Sequence, residues 1–170
     1  MIYLVRHAHA GRRTKAPEDH LRALSKKGKR ESQALAAWLA PQAGARVLSS
    51  PYVRCVETVA PIAAKGGRKT LIRTELSEAA SLERLMRLIA RAHDGTIMCT
   101  HGDMLKAVIA QLASDGTTID GDACWEKGSA WALAPGRRGF RRAVAIPPLT
   151  PPAQALAILD GVAPRRRRAA

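Results

Sequence analysis

The chain has 170 residues, of which 46% are hydrophobic and 25% charged, and its formal net charge is +14. This length and apolar content favour one folded domain with a single core and exclude a chain that is disordered by composition. The apolar run at the N-terminus, residues 2–5, is too short for a secretion signal, and no segment approaches the roughly 20 apolar residues that cross a membrane.

Short apolar runs alternate along the chain with segments of helical periodicity, in which apolar residues recur every three or four positions. The apolar runs predict strands at residues 2–5, 46–49, 70–73, 96–100, 129–133 and 140–146, the last two forming a hairpin. The helical segments lie at residues 28–39, 51–64, 81–92, 103–113 and 153–159. Strands that alternate with helices predict a three-layer α/β/α sandwich with a mostly parallel central sheet.

Particular residues mark the ends of these segments. Ser25 is suited to cap the first helix, and Ser50 to cap the second, with Pro51 in its first turn. Pro61 lies inside the second helical segment and predicts a kink or an early end there. The polar stretches between the segments predict loops, at residues 8–24 and 115–128.

The far C-terminus differs in character from the rest of the chain. We expect the domain to occupy residues 1–150, and residues 151–170 to form a short helix followed by a mobile basic tail that contains the run Arg165–Arg168. A basic surface attracts anions, including nucleic acid and phosphorylated substrates. Because the chain has no zinc-finger spacing and no RNA-recognition signature, we do not expect a nucleic-acid partner. The sequence carries no signal for an oligomeric state.

The cysteines indicate the compartment. Cys55, Cys99 and Cys124 are far apart, odd in number and form no CxxC pair. This pattern is typical of reduced, buried thiols rather than of a disulfide framework or a zinc site. Together with the lack of a secretion signal, it predicts a cytoplasmic protein without a membrane anchor.

Two histidines follow predicted strands in matching contexts. His7 comes directly after Arg6 at the end of the first strand, and His101 precedes Gly102 at the end of the fourth. Ligands of α/β sheets bind beyond the carboxyl ends of parallel strands, so both imidazoles are expected at one sheet edge. A neutral imidazole can attack phosphorus and form a covalent intermediate. The pattern therefore predicts phosphoryl transfer with His7 as the nucleophile.

The phosphate and the leaving group each need partners. Arg6 and Arg54 are candidates to clamp the phosphate, since guanidinium forks match its oxygens. His101 can bind a phosphoryl oxygen, and the N–H groups of the helix beginning at Gly102 favour negative charge. Glu78 is the candidate proton donor, with Glu75 as the alternative.

Further polar side chains are expected at the mouth of this site. These are His9, Arg12, Arg22 and Ser25, of which His9 and Arg22 are candidate substrate-binding residues. The chain has no P-loop for a nucleotide and no acidic cluster for magnesium. Since two arginines and two histidines can neutralise the phosphate, we expect neither a metal ion nor a cofactor.

Four blocks of the sequence match, in order, the motifs R-H-G, R-P-L-(S/T)-x-x-G, S-x-x-x-R-x-x-x-T and H-G of one known family. The matching residues are 6–8 (RHA), 22–28 (RALSKKG), 50–58 (SPYVRCVET) and 101–102 (HG). On these blocks, the chain resembles the histidine phosphatase superfamily, which contains phosphoglycerate mutase-like enzymes and SixA-type phosphohistidine phosphatases. The second block is similar to that of the SixA branch.

This resemblance implies a phosphoglycerate mutase-like fold and a metal-independent phosphatase acting on a small phosphomonoester or a protein phosphohistidine. It implies that His7 carries the phosphoryl group, that Arg6, Arg54 and His101 hold it, and that Glu78 donates the proton. Ala8 replaces the family's usual glycine, and the long insertion of mutases is missing, so mutase activity is not expected. Two alternatives stay open: a nucleotide phosphatase, and a catalytically silent module that binds phosphate.

Overall fold

The computed structural model describes residues 1–12, 18–44 and 46–161 of the chain. The predicted basic run Arg165–Arg168 lies outside the described residues. The helices and strands are β1 (Ile2–Arg6), α1 (Lys26–Leu39), β2 (Val47–Ser49), α2 (Val53–Lys65), β3 (Thr70–Ile72), α3 (Leu82–Ala90), β4 (Ile97–Thr100), α4 (Gly102–Ser114), β5 (Thr118–Asp120), β6 (Ala130–Pro135), β7 (Phe140–Ile146) and α5 (Pro152–Asp160). Short 3-10 helices lie at Asp19–Leu21, Ala40–Gln42 and Thr74–Leu76.

The seven strands form one sheet in the order β3-β2-β4-β1-β6-β7-β5. The pairs β1–β4, β2–β4, β2–β3 and β5–β7 are parallel, whereas β6 runs antiparallel to β1 and β7. The predicted mostly parallel sheet and the predicted hairpin are therefore confirmed. The two strands that precede the paired histidines, β1 and β4, are direct neighbours, with Arg6 opposite Thr100.

Side chains on the central strands alternate between two cores. Tyr3 and Val5 of β1 face a cluster with α1, α2 and α5, whereas Ile2 and Leu4 face a cluster with α3 and α4. All four are buried because helices cover both faces of the sheet. The observed architecture is thus the predicted three-layer sandwich.

The second helix differs from its prediction at its start. It begins at Val53 with Tyr52 as its N-cap residue, and no side chain caps it. Ser50 was predicted as the cap, but its hydroxyl instead lies 3.0 Å from Nε2 of His101. The cap prediction is wrong because the N-cap residue is Tyr52; the Ser50 hydroxyl accepts from the amide of Tyr52 at 3.4 Å and makes its shorter contact with a group 51 positions away.

Pro61 neither ends nor shortens α2, which runs on to Lys65. A proline cannot donate to the carbonyl four residues earlier, which here belongs to Glu57. The hydroxyl of Ser32 on α1 donates to that carbonyl at 3.1 Å and also lies 2.8 Å from the carbonyl oxygen of Thr58. The neighbouring helix therefore supplies the hydrogen bond that the proline removes.

Two further segments complete the fold. Residues 115–128, predicted as a loop, contain the three-residue strand β5 at the edge of the sheet beside β7. Helix α5 buries Ala155 and Leu159 in the core cluster that also contains α1 and α2. A domain limit near residue 150 stays a prediction. The longest helix of the described ranges, α1, has 14 residues, and none there has the length and apolarity that a membrane crossing requires.

Candidate active site

His7 lies at the carboxyl end of β1 and is only 4% exposed. Its Nδ1 is 2.8 Å from the carbonyl oxygen of Ala8. Because a carbonyl can only accept, Nδ1 carries the hydrogen and Nε2 keeps a free lone pair. Burial, with the nearby positive charges of Arg54 and Arg6, lowers the pKa of His7 from 6.5 to about 3, although the Ala8 carbonyl acts against this shift. The imidazole is therefore neutral, which is the state that a nucleophile requires.

The backbone beside His7 is fixed by α2. The amide of Ala8 donates to Oγ1 of Thr58 at 2.9 Å, and this hydroxyl also donates to the carbonyl of Arg54 at 2.6 Å. Thr58 is the last residue of the third matched block, and the contact explains why a threonine suits that place. One turn of α2 therefore fixes both the backbone that follows His7 and the backbone of Arg54.

His101 is fully buried as the N-cap residue of α4. Its ring centroid lies 5.4 Å from that of His7, with an interplanar angle of 66°. Its Nδ1 is 3.3 Å from a terminal nitrogen of Arg54, and its Nε2 is 3.0 Å from Oγ of Ser50. Because a guanidinium only donates, Nδ1 of the neutral ring accepts and Nε2–H donates to Ser50. These contacts fix the orientation of the second imidazole.

Arg54 is fully buried, although it is charged. One terminal nitrogen contacts Asp19 through its carbonyl at 2.8 Å and its carboxylate at 3.0 Å, and the other lies 3.0 Å from Glu78. The guanidinium also lies 4.5 Å from the ring centroid of Tyr52. A buried charge is tolerated when it is paired in this way. Two carboxylates and an aromatic ring therefore hold the guanidinium next to His101.

Arg6 packs against Gly102, the residue that follows His101. Its guanidinium donates to the carbonyl of Trp125. A Cβ added to Gly102 would lie 2.6 Å from the guanidinium carbon of Arg6, so only glycine leaves room for this packing. The Nε atoms of Arg6 and Arg54 are buried and have no hydrogen-bond partner among the described residues. Both are donors that a tetrahedral oxyanion can use.

The two candidate proton donors occupy different surroundings. Glu78 is about one-third exposed, and its second carboxylate oxygen lies 3.6 Å from Nδ1 of His101. It thus contacts both Arg54 and His101. Glu75, three positions earlier, lies in a 3-10 helix and lines a separate groove beside α3. The geometry favours Glu78 over Glu75.

Of the four residues expected at the mouth, Arg12 is exposed, and the other three fall into two groups. Arg22 contacts the carboxylate of Asp19 at 3.0 Å and so connects to the site through the residue that holds Arg54. His9 and Ser25 form a separate contact, with Nδ1 of His9 2.8 Å from the serine hydroxyl. Ser25 also caps α1 as predicted, accepting from the amide of Gly28 at 3.1 Å. Roles of these side chains in binding substrate stay predictions.

Gly28, the last residue of the second matched block, has a packing role. A Cβ at this position would lie 2.0 Å from the carbonyl oxygen of His9, a contact that no substituted residue could make without moving the backbone. The start of α1 is therefore pressed against the turn that follows the nucleophile. The glycine lets the loop approach the helix closely.

Several site residues were missed from the sequence. Asp19 and Trp125 lie within segments predicted as loops, and Ser50 was assigned to a helix cap. The thiol of Cys55 also lies 3.6 Å from Nε2 of His101. These contacts join residues far apart in the chain, so no local pattern indicates them. Of these residues, Asp19 is the one that the sequence could most readily have indicated, because it lies three positions before Arg22 of the second matched block.

None of the three cysteines forms a disulfide; Cys55 and Cys99 are buried, whereas Cys124 is half-buried. No three His, Cys, Asp or Glu side chains come together as a metal site within residues 1–12, 18–44 and 46–161. The arrangement thus consists of a neutral imidazole with a free lone pair, a second imidazole and two guanidiniums around one small volume, with a carboxylate at its edge. Such a set can bind a tetrahedral oxyanion and attack it.

Sequence comparison places the chain among known proteins. The family model of the histidine phosphatase superfamily (branch 1) matches residues 2–85. An 8-oxo-(d)GTP phosphatase of Mycolicibacterium smegmatis is 27% identical over 141 residues, covering 78% of this chain and 44% of that protein. The chain therefore spans less than half the length of this curated relative.

Solved structures share the fold. The protein histidine phosphatase SixA complexed with tungstate is similar with a TM-score of 0.64 at 18% identity, over 85% of this chain and 93% of that chain. A mycobacterial glucosyl-3-phosphoglycerate phosphatase complexed with VO3 has a TM-score of 0.59 at 14% identity, over 85% and 96% of the two chains. The fold is thus phosphoglycerate mutase-like, and the chain is similar to the histidine phosphatase superfamily over residues 2–85.

Proposed function

We propose that the chain is a phosphatase that transfers the phosphoryl group of its substrate to His7 and then to water. The observation that carries this proposal is the pairing of a buried, neutral His7 with His101 at 5.4 Å between ring centroids, beside two arginines. Similar proteins support it, since they include a protein histidine phosphatase and an 8-oxo-(d)GTP phosphatase.

In the first step, Nε2 of His7 attacks phosphorus as the bond from phosphorus to the leaving group breaks. Glu78 in its acid form gives its proton to the leaving atom, and Arg6 and Arg54 stabilise the charge on the phosphoryl oxygens. In the second step, water attacks the phosphorus of phospho-His7 and loses a proton to the Glu78 carboxylate. The phosphorus–nitrogen bond breaks, inorganic phosphate leaves, and His7 returns to its starting state.

The arginines supply the positive charge that the transferring group needs. We therefore propose a metal-independent reaction, with activity that persists when divalent ions are chelated. SixA and the glucosyl-3-phosphoglycerate phosphatase are described as complexes with tungstate and VO3, both oxyanions. By analogy, we expect the site around His7 to bind vanadate or tungstate and to be inhibited by them.

Two substrate classes follow from the comparisons. The fold likeness to SixA supports phosphohistidine in a protein, along with small phosphomonoesters as the general class. The relative named 8-oxo-(d)GTP phosphatase supports a nucleotide as the second candidate. Since the chain spans 44% of that relative, a nucleotide substrate ranks behind the first class.

The test is a turnover panel in the presence of a chelator. It contains para-nitrophenyl phosphate, a phosphohistidine peptide, a phosphoglycerate and an 8-oxo-nucleotide, each offered to the wild type and to His7→Ala. The proposal expects release of phosphate by the wild type from at least one substrate and none above background by His7→Ala. Vanadate binding without turnover of any substrate would instead support the silent phosphate-binding module.

A further inference from the structure

A groove of about 500 Å³ runs along α3 on the side of the sheet that carries α3 and α4. Its walls come from α3 and from the segment that includes the 3-10 helix Thr74–Leu76. Arg84, Arg87 and Arg91 line it and are all exposed. They stand at positions i, i+3 and i+7 of one helical face, so their Cα atoms span about 10 Å along the axis. The site chemistry described above uses none of these arginines.

The charges in this groove are only partly paired. Arg87 forms an ion pair with Glu83 at 3.1 Å, one turn earlier in α3. Arg84 and Arg91 have no hydrogen bond or ion pair through their side chains with any residue of the described ranges. Glu75 is the one carboxylate in the lining. The groove is therefore a positively charged surface with two guanidiniums available to a partner.

The groove adjoins the candidate active site through the segment before α3. Ala79 and Ala80 line it, and they directly follow Glu78, whose carboxylate contacts Arg54 and His101. Because α3 follows β3, its first turn lies at the same edge of the sheet as His7 and its last turn lies toward the opposite edge. A chain held at His7 and continuing past Glu78 thus meets the three arginines in order.

We propose that this groove docks an acidic segment of a phosphoprotein whose phosphohistidine is hydrolysed at His7. This inference rests on the proposed function and names the substrate as a protein with negative charge flanking its phosphorylated residue. The charge complementarity of a row of carboxylates with the arginine row supplies affinity and orientation.

The lining favours a polypeptide over nucleic acid. It contains no aromatic side chain on which a base could stack. It does contain Ala79, Ala80 and Leu88, which are apolar contacts suited to the side chains of a peptide, and hydroxyls of Thr74 and Ser81.

The experiment compares two phosphohistidine peptides that differ only in the flank, a run of glutamates in one and of glutamines in the other. The groove variant is Arg84→Glu/Arg91→Glu. The matched control, Arg137→Glu/Arg138→Glu, has the same change in charge at exposed positions in the turn between β6 and β7, outside the groove. Binding of the unphosphorylated glutamate peptide is measured in parallel by fluorescence anisotropy.

We expect the wild type to prefer the glutamate peptide, with the preference weakening at high salt. The ratio of kcat/KM for the glutamate peptide to that for the glutamine peptide falls about tenfold in the groove variant, through KM, and stays unchanged in the control. Anisotropy shows the same loss of glutamate-peptide binding.

Equal ratios in the groove variant and the wild type overturn the docking proposal. Tighter, groove-dependent binding of an oligothymidine than of the glutamate peptide overturns it in favour of nucleic acid. If no phosphorylated substrate is turned over but groove-dependent peptide binding remains, the phosphatase proposal fails and the docking surface stands. If the wild type, the groove variant and the control all turn over both peptides at equal rates, the phosphatase proposal stands and the docking proposal fails.

Discussion

Burial of a neutral His7 makes the stability of this protein depend on pH in a specific way. The pKa of this imidazole is 6.5 in an unfolded chain and about 3 in the folded protein, chiefly because burial disfavours the cation and the nearby arginines add to the effect. Between these values, the unfolded state binds a proton that the folded state does not. The stabilising contribution is therefore fully present above pH 6.5 and is lost as the pH falls toward 3.

The size of the effect follows from linkage. At pH 7 the unfolded imidazole is mostly neutral, whereas at pH 5 it is almost wholly protonated and the folded one is still neutral. Integrating the difference in bound protons over this interval gives a loss of about 2 kcal/mol in the free energy of unfolding from His7 alone. This is a large part of the stability of a typical domain.

The assay is urea unfolding at pH 7 and pH 5, followed by the fluorescence of the three tryptophans, in buffers without phosphate or sulfate. His7→Asn is the matched variant, since its amide can still donate to the Ala8 carbonyl but does not titrate. We expect the wild type to lose about 2 kcal/mol more than His7→Asn between the two pH values. Equal losses in the two proteins would refute a depressed pKa at this position.

Three further substitutions test separate contacts. Glu78→Gln should lower kcat by about 10² to 10⁴-fold, whereas Glu75→Gln should leave kcat near that of the wild type in the same turnover assay; the reverse order would exchange their roles. Ser32→Ala should lower the free energy of unfolding by about 1–3 kcal/mol in urea titrations, and adding Pro61→Ala should restore part of the loss, because the carbonyl freed by the proline then regains an amide donor. Gly102→Ala should lower kcat/KM by about 100-fold, because the new Cβ displaces the guanidinium that precedes the nucleophile; an unchanged kcat/KM would show that this close packing is not needed.

Local patterns in the sequence were enough to predict most of the fold. The strands that carry the site are short apolar runs buried on both faces, and the helices between them show a clear periodicity of apolar residues. The carboxyl ends of parallel strands lie at one edge of the sheet. Once His7 and His101 are each assigned to the end of a strand, this rule predicts that they lie close together. The helix cap at Ser25 was likewise readable, because the cap and its partner Gly28 are three residues apart.

The contacts that were missed depend on residues distant in sequence. Ser50 resembles a helix cap because that is the common role of a serine before a helix, yet its hydroxyl hydrogen-bonds with a histidine 51 positions away. The continuation of α2 past Pro61 depends on a hydroxyl from another helix. Asp19 lies 35 positions before Arg54 and contacts it because the 3-10 helix Asp19–Leu21 lies against α2. Such pairings are set by tertiary structure, and no pattern of neighbouring residues encodes them.

The choice between the two carboxylates shows the same limit on a smaller scale. Glu75 and Glu78 are separated by three positions in a segment without strong periodicity, so local pattern does not separate them, and the resemblance to the family is what favours Glu78. The structure separates them, since Glu75 lines the groove along α3 and Glu78 contacts the paired imidazole and guanidinium. Which of them moves the proton stays a prediction until the variants are compared.

The most direct test of the account is to trap the phosphorylated enzyme. After rapid mixing with a phosphorylated substrate and denaturation at high pH, trypsin should release residues 7–12 as one peptide, which contains both His7 and His9. Fragmentation by mass spectrometry then identifies the modified residue. We predict a base-stable, acid-labile phosphate on His7 of the wild type and none on His7→Ala. Phosphate on His9, or equal labelling of the wild type and His7→Ala, would contradict the assignment of His7 as the nucleophile.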